Sequence, residues 1–159
     1  MGGDAKRDKR KNANGRADVG PKPRQQYAAL PLTIADDGQC LVVLVTSRET
    51  RRWVIPKGNP EKGLAPHELV AKEAYEEAGL VGTVGREPIG RYRYRKRLRG
   101  ERSVACEVAV FALKVSHQLD DWPEKGQRET RLATPAEAAM LVGEGGLVTL
   151  LLHLAAETA

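Results

Sequence analysis

From about residue 26 onward the chain changes its hydrophobic rhythm several times. Tyr27 to Ile34 is mostly apolar and reads as a strand, Asp36-Asp37-Gly38 is a turn signal, and Cys40 to Thr46 is a Leu- and Val-rich run. The two runs predict a hairpin. Arg52 to Ile55 reads as a third short strand, stopped by Pro56. Between Pro66 and Ala78 the period becomes helical: Leu69, Val70, Ala74 and Ala78 make an apolar stripe, proline opens the first turn and Gly79 closes the last. Leu80 to Val84 and Ile89 to Tyr94 predict strands, and Ser103 to Val115 alternates as a long one. Leu119 to Thr130 reads as a polar loop, and Pro135 to Leu141 and Leu147 to Ala156 as helices, the second strongly apolar. Mixed strands with one helix in the middle and two at the end predict an α/β sandwich of about 130 residues, without internal repeats.

Residues 1 to 24 lie outside this pattern. They are rich in Lys, Arg, Gly, Asn and Asp, with almost no large apolar side chain, so they predict a disordered basic tail ahead of a domain at 25 to 159. The tail also accounts for the net charge of +5: it holds eight bases and three acids, and the remaining chain is balanced. Charge therefore gives little reason to expect a nucleic-acid partner for the domain. Aromatic residues are also thin for base stacking: Phe111, Trp53, Trp122 and four tyrosines. No apolar run approaches the roughly 18 residues of a membrane span. The N-terminus shows no secretory core, and Asp4, Asp8 and Asp18 disfavour a transit peptide. A cytoplasmic protein is the expectation. Cys40 and Cys106, the only cysteines, sit in apolar stretches and read as small buried hydrophobes. His67, His117 and His153 show no metal-ligand spacing.

Glu73, Glu76 and Glu77 stand at i, i+3 and i+4 on the central helix. That spacing puts three carboxylates on one face with Cβ atoms roughly 5–6 Å apart, where they repel and raise one another's pKa. A divalent cation relieves the repulsion, and hard oxygen donors suit Mg²⁺ or Mn²⁺. The competing reading is an acidic face turned to solvent. Context favours the metal, because the helix follows a small-residue turn, Pro56-Lys57-Gly58, with a second glycine at Gly63. Such a turn lets backbone groups approach a metal or a phosphate.

These residues resemble the signature of the Nudix hydrolases: Gly58, then Glu73, an aliphatic Ala74, Glu76, Glu77, Gly79 and Leu80 fall at the spacing of the Nudix box. The resemblance implies an α/β/α sandwich with a mixed sheet and metal-dependent cleavage of a phosphoanhydride bond, with Mg²⁺ or Mn²⁺ as cofactor. It also implies Glu73, Glu77 and the Gly58 carbonyl as metal ligands, and Glu76 as general base or a further ligand. Two positions depart from the box: Leu64 stands where the family has Glu, and Lys72 where it has Arg. In the family that pair helps hold the loop and orient the glutamates. A lysine cannot reproduce an arginine's bidentate fork, and Glu61 is a candidate substitute partner for Lys72.

Outside the box, residues 27 to 154 resemble the diphosphoinositol polyphosphate and diadenosine polyphosphate branch, through Ser47-Arg48, Arg52-Trp53 and Asp121-Trp122-Pro123-Glu124. Leu132 stands where that branch has Trp. The resemblance adds Arg48 and Arg52 as substrate contacts. Residues 86 to 102 carry eight bases against two acids, and Arg91, Arg93, Arg95 and Arg97 would share one strand face. Guanidinium groups match phosphate oxygens, although a basic edge can also serve only to discourage aggregation. Arg93, Arg95 and Arg97, with Lys57 in the turn, are the candidate phosphate contacts. The expectation is a monomer or homodimer acting on a small-molecule polyphosphate. The alternatives are a weakly active binding module on the same fold, or hydrolysis of ADP-ribose, nucleotide sugars or capped RNA.

Overall fold

The computed structural model describes residues 22–159. The expected tail at 1 to 24 lies outside the described residues except at its end, where the first strand begins at Arg24. Among the described residues the chain runs through β1 (Arg24–Ile34), β2 (Cys40–Thr46), β3 (Trp53–Val54), β4 (Lys57–Gly58), α1 (Pro66–Ala78), β5 (Leu80–Val84), β6 (Gly90–Arg97), β7 (Ser103–Gln118), β8 (Thr130–Ala133), α2 (Pro135–Leu141) and α3 (Gly145–Thr158).

All eight strands join one mixed sheet whose central path is β3-β2-β1-β7-β5, with β4 on β1, β6 on β7 and β8 on β2. β1 and β7 pair in parallel, and the other strand pairs are antiparallel. β1 and β2 are apolar on successive residues because both of their faces are covered. Ala28, Leu30, Val42 and Leu44 pack on one face with Ala138, Val142, Leu147 and Leu151 of the α2–α3 region. Ala29, Val43 and Val45 pack on the other with Val70, Ala74 and Ala78 of α1. That division produces the three layers, helix, sheet and helix, expected from the sequence. Fully burying a side chain such as Leu30, Leu147 or Leu151 contributes about 1.5–3 kcal/mol.

Three differences from the sequence reading have physical reasons. β4 is only two residues long and exists because Lys57 and Gly58 pair with Ala28 and Tyr27. β8 starts at Thr130, the last residue of the expected loop, and occupies a stretch for which no element was expected; its first three residues are exposed, and its pairing with β2, from Val42↔Ala133 to Val45↔Thr130, makes it a strand. β6 and β7 run beyond their expected ends, to Arg97 and Gln118. β7 serves as template for both partners, β6 along Ser103 to Val110 and β5 along Leu113 to Gln118. No helix among the described residues is long and apolar enough to cross a membrane.

Candidate active site

α1 starts with Pro66 at its first position, and the Glu68 carboxylate accepts the Ala65 N–H at 2.9 Å. It ends at Gly79, in the left-handed region at φ 66°, whose N–H returns to the Tyr75 carbonyl. Leu69, Val70, Ala74, Glu77 and Ala78 form its buried side. A glutamate on that side is the anomaly. Glu77 is only 5% exposed, and burial pushes its pKa up to about 8 against the opposing pull of Arg128. Burial also raises Glu73. A hydrogen bond between the two carboxyl groups lowers Glu73 and raises Glu77.

Gly58 lies directly beneath. A Cβ on Gly58 would collide with the Glu73 carboxylate, so that carboxylate rests against the Gly58 backbone. Pairing of β4 with β1 fixes the height of this backbone, through Gly58↔Tyr27.

The loop after β7 closes the other end of α1. Gln118 Nε2 donates to the Ala78 carbonyl at 2.9 Å, the Leu119 N–H to Gly79 at 2.8 Å, and the Glu124 N–H to Glu76 at 3.0 Å. These donors satisfy carbonyls that a helix C-terminus otherwise leaves open. The Trp122 ring packs on Gly79 in the space a side chain would need. The loop thereby delivers Glu124 and Arg128. Arg128 Nε lies 2.9 Å from Glu124 Oε1, its Nη1 lies 3.7 Å from Glu77 Oε1, and all three side chains are largely buried. Arg128 Nη1 also donates to the Thr46 carbonyl at 3.1 Å. Sequence reasoning placed Glu124 only within a branch motif and missed Arg128 altogether. Only the Glu124 contact is local; the partners that tie Arg128 to the site, Glu77 and Thr46, lie on α1 and β2, far away in the chain.

The remaining candidates divide. Arg48 reaches the cluster, with Nη1 3.9 Å from Glu124 Oε1 and 3.4 Å from Gln127 Oε1. Arg52 is exposed, and its backbone N–H bonds to Ser47 Oγ at 3.2 Å. Lys57 turns to the opposite face, because it pairs with Ala28, whose side chain belongs to the α2–α3 core. There Lys57 Nζ is 4.0 Å from Glu144 Oε1 and 4.9 Å above the Tyr94 ring, and the Tyr92 hydroxyl donates to the same Glu144 oxygen at 3.2 Å. Arg91, Arg93, Arg95 and Arg97 are exposed and alternate with Tyr92 and Tyr94, so they do share one face. Arg93 is 3.0 Å from Glu107, and Arg95 Nε donates to Ser103 Oγ at 3.0 Å. The register puts Arg91 in the row of Gly58, Tyr27 and Ala109; Arg93, Arg95 and Arg97 step away from it toward the hairpin tip.

Where the Nudix box has Glu and Arg, the half-buried Leu64 carries no charge and Lys72 bonds both oxygens of Glu61, at 2.8 and 2.7 Å. Lys72 Nζ also lies 3.7 Å from Glu76 Oε1. Glu61 is therefore the partner of Lys72. The hydrogen bond that Lys72 donates to Glu61 raises the Lys72 pKa.

No three His, Cys, Asp or Glu side chains among the described residues converge tightly enough to cage a metal ion by themselves. Mg²⁺ does not need such a cage: it uses one or two carboxylates, waters and substrate phosphates. Two adjacent carboxylates with a close backbone, Glu73, Glu77 and Gly58, fit that chemistry.

The family model described as NUDIX domain matches residues 24–148. Nudix hydrolase 12, mitochondrial, of Arabidopsis thaliana is 37% identical over 103 residues, which cover 63% of this chain and 51% of that protein. Diphosphoinositol polyphosphate phosphohydrolase 3-alpha of Mus musculus is 32% identical over 84 residues, covering 53% of this chain and 47% of that protein. The chain thus spans about half the length of these curated relatives. Among solved structures, a C. elegans Ap4A hydrolase binary complex superposes with a TM-score of 0.62 at 14% identity, over 84% of this chain and 96% of that one. A NUDIX hydrolase from Nitrosomonas europaea gives 0.64 at 18% identity, over 86% and 91%. At such identities the structural likeness speaks to the fold. The family model covers most of the chain, box and sheet together, and the chain belongs to the Nudix hydrolase family.

Proposed function

We propose that the chain hydrolyses a phosphoanhydride bond in a diadenosine polyphosphate or a diphosphoinositol polyphosphate, with Mg²⁺ or Mn²⁺ held by Glu73, Glu77 and the Gly58 carbonyl. The observation that carries this reading is the Glu73 carboxylate lying against the Gly58 backbone, with the buried Glu77 one turn further along the same helix. A divalent cation bound there would polarise phosphoryl oxygens and offset the charge of the leaving phosphate. Glu76, more open to solvent than Glu77, is the base that takes a proton from the attacking water. Arg128 neutralises part of the charge on Glu77 and Glu124, and Arg48 extends positive charge outward from the same cluster. The arginine face of β6 offers further guanidinium groups to a long polyphosphate. Similarity to a diphosphoinositol polyphosphate phosphohydrolase, and a fold shared with an Ap4A hydrolase, support this choice of substrates.

The test is a hydrolysis screen across dinucleoside polyphosphates, inositol pyrophosphates, ADP-ribose and nucleotide sugars, with mass analysis of products under Mg²⁺ and Mn²⁺. Turnover of the first two groups is expected. Tight binding without turnover would instead mark a binding module. Glu76→Gln and Glu77→Gln should each lower turnover by at least about a hundredfold, the scale of a lost acid–base group, while the melting curve stays cooperative. Full activity in either variant would remove the assignment of that residue.

A further inference from the structure

We infer that Glu61 and Lys72 form a clamp that positions Glu76, replacing the Glu–Arg pair that the family box would place at positions 64 and 72. This rests on the reading of Glu73, Glu76 and Glu77 as the metal and base cluster. The carboxylate of the clamp has moved three residues toward β4, and an ammonium stands in for the guanidinium.

The geometry of the loop shows why position 61 can take over. Residues 59 to 65 leave β4 after Gly58 and enter α1 at Pro66. The Leu64 N–H closes a turn onto the Glu61 carbonyl at 3.2 Å, with Gly63 at φ 88° inside it. A φ of that sign suits glycine, so the turn is set by sequence. The turn leaves Leu64 half-buried and turns the Glu61 side chain toward α1. Beyond the first turn of α1, the two Lys72–Glu61 bonds are the side-chain ties between this loop and the helix among the described residues. They hold the segment that follows Gly58 against the helix carrying the carboxylates.

The second effect is electrostatic. Lys72 has two carboxylates within reach, Glu61 on the loop and Glu76 one turn further along α1. Its ammonium sits 2.7 Å from Glu61 and 3.7 Å from Glu76. Glu61 thus draws the ammonium off Glu76 and leaves the Glu76 oxygens open to water or metal. Without Glu61, the i,i+4 pairing draws Lys72 onto Glu76, where the ammonium covers a carboxylate oxygen and competes with a cation. Both Glu61 and Lys72 are about 40% exposed, so as a contact for stability the pair is worth little. Its value lies in where it leaves Glu76.

Four proteins test the clamp: wild type, Glu61→Gln, the triple variant Glu61→Gln with Leu64→Glu and Lys72→Arg, and Glu77→Gln as control. The readouts are Mn²⁺ affinity by calorimetric titration without substrate, turnover on the substrate found in the screen, and thermal melting. Glu61→Gln should weaken Mn²⁺ binding and turnover by about tenfold each, equivalent to about 1.4 kcal/mol, with little change in melting temperature. The triple variant restores the family's own pair and should recover both to within about threefold, a residual cost of at most about 0.7 kcal/mol. The clamp is overturned by a Glu61→Gln protein that binds Mn²⁺ and turns over as wild type does. A triple variant that fails to recover also overturns it, since Glu61 would then act other than through a pair. Glu77→Gln separates this from the underlying reading: if it too binds Mn²⁺ like wild type, the carboxylate site itself is wrong, whereas loss in Glu77→Gln with none in Glu61→Gln rejects the clamp alone.

Discussion

At the scale of single residues, Glu77 carries the sharpest consequence. A free carboxylic acid titrates near 4.5, and in the folded chain burial lifts Glu77 to about 8. Its folded pKa is raised, so the stability tied to its neutral form is complete below about pH 4.5 and is lost as pH rises through about 8. In EDTA the melting temperature should therefore fall between pH 5 and pH 8.5, by up to about 1.4 kcal/mol of stability per pH unit inside that window. Mg²⁺ should flatten the slope, because a bound cation favours the ionised pair, and Glu77→Gln should abolish it. A slope unchanged in Glu77→Gln would assign the effect elsewhere. Local pattern did show that Glu73, Glu76 and Glu77 share a helix face. It did not show that Glu77 points inward, because burial depends on what packs above the helix. Arg128 escaped for the same reason: it bonds to the Thr46 carbonyl, 82 positions earlier in the chain, and pairs with Glu77 on another element.

At the scale of elements, α1 and its flanking segments form one unit. The helix was legible to the residue, since Pro66 and Gly79 fix its ends and the apolar stripe fixes its inner face. β8 and β4 were not legible, since each is a few residues long and owes its state to a partner strand. Gly79 joins the readable and unreadable parts. It is the left-handed cap of α1 and also the floor on which Trp122 rests. Gly79→Ala should cost about 1–2 kcal/mol for the backbone conformation alone, and more for the displaced indole. Because the same loop carries Glu124 and Arg128, the substitution should also reduce turnover, measured beside a denaturant melt. Wild-type turnover in a destabilised Gly79→Ala protein would separate the loop from the site.

At the scale of the whole molecule, the sheet keeps two chemistries apart. The α2–α3 face is an apolar core bordered by the Lys57, Glu144, Tyr92 and Tyr94 contacts, and the α1 face holds the carboxylates. Leu151→Ala, in the far core, should cost about 2–5 kcal/mol and leave Mn²⁺ affinity unchanged, since Leu151 packs on the face opposite α1. The exposed arginine face of β6 acts at longer range. Raising salt from about 0.05 to about 0.5 M should increase KM for a polyphosphate more than it alters kcat, because screening shortens the reach of surface charge. Arg95→Ala with Arg97→Ala should weaken that salt dependence.

The parallel pairing of β1 with β7 has a further consequence, for how the molecule is made. Gln25 meets Glu107 across 82 positions of chain, and most of the segment between them encodes the hairpin, the loop and the carboxylate helix. A growing polypeptide therefore carries every residue of the candidate catalytic trio before the strand that anchors its first strand has left the ribosome. Contacts so distant in sequence close slowly. Refolding from denaturant should accordingly be slow for a chain of this size, and recovery of Mn²⁺ binding should coincide with formation of the β1–β7 ladder and lag behind helix formation in α1.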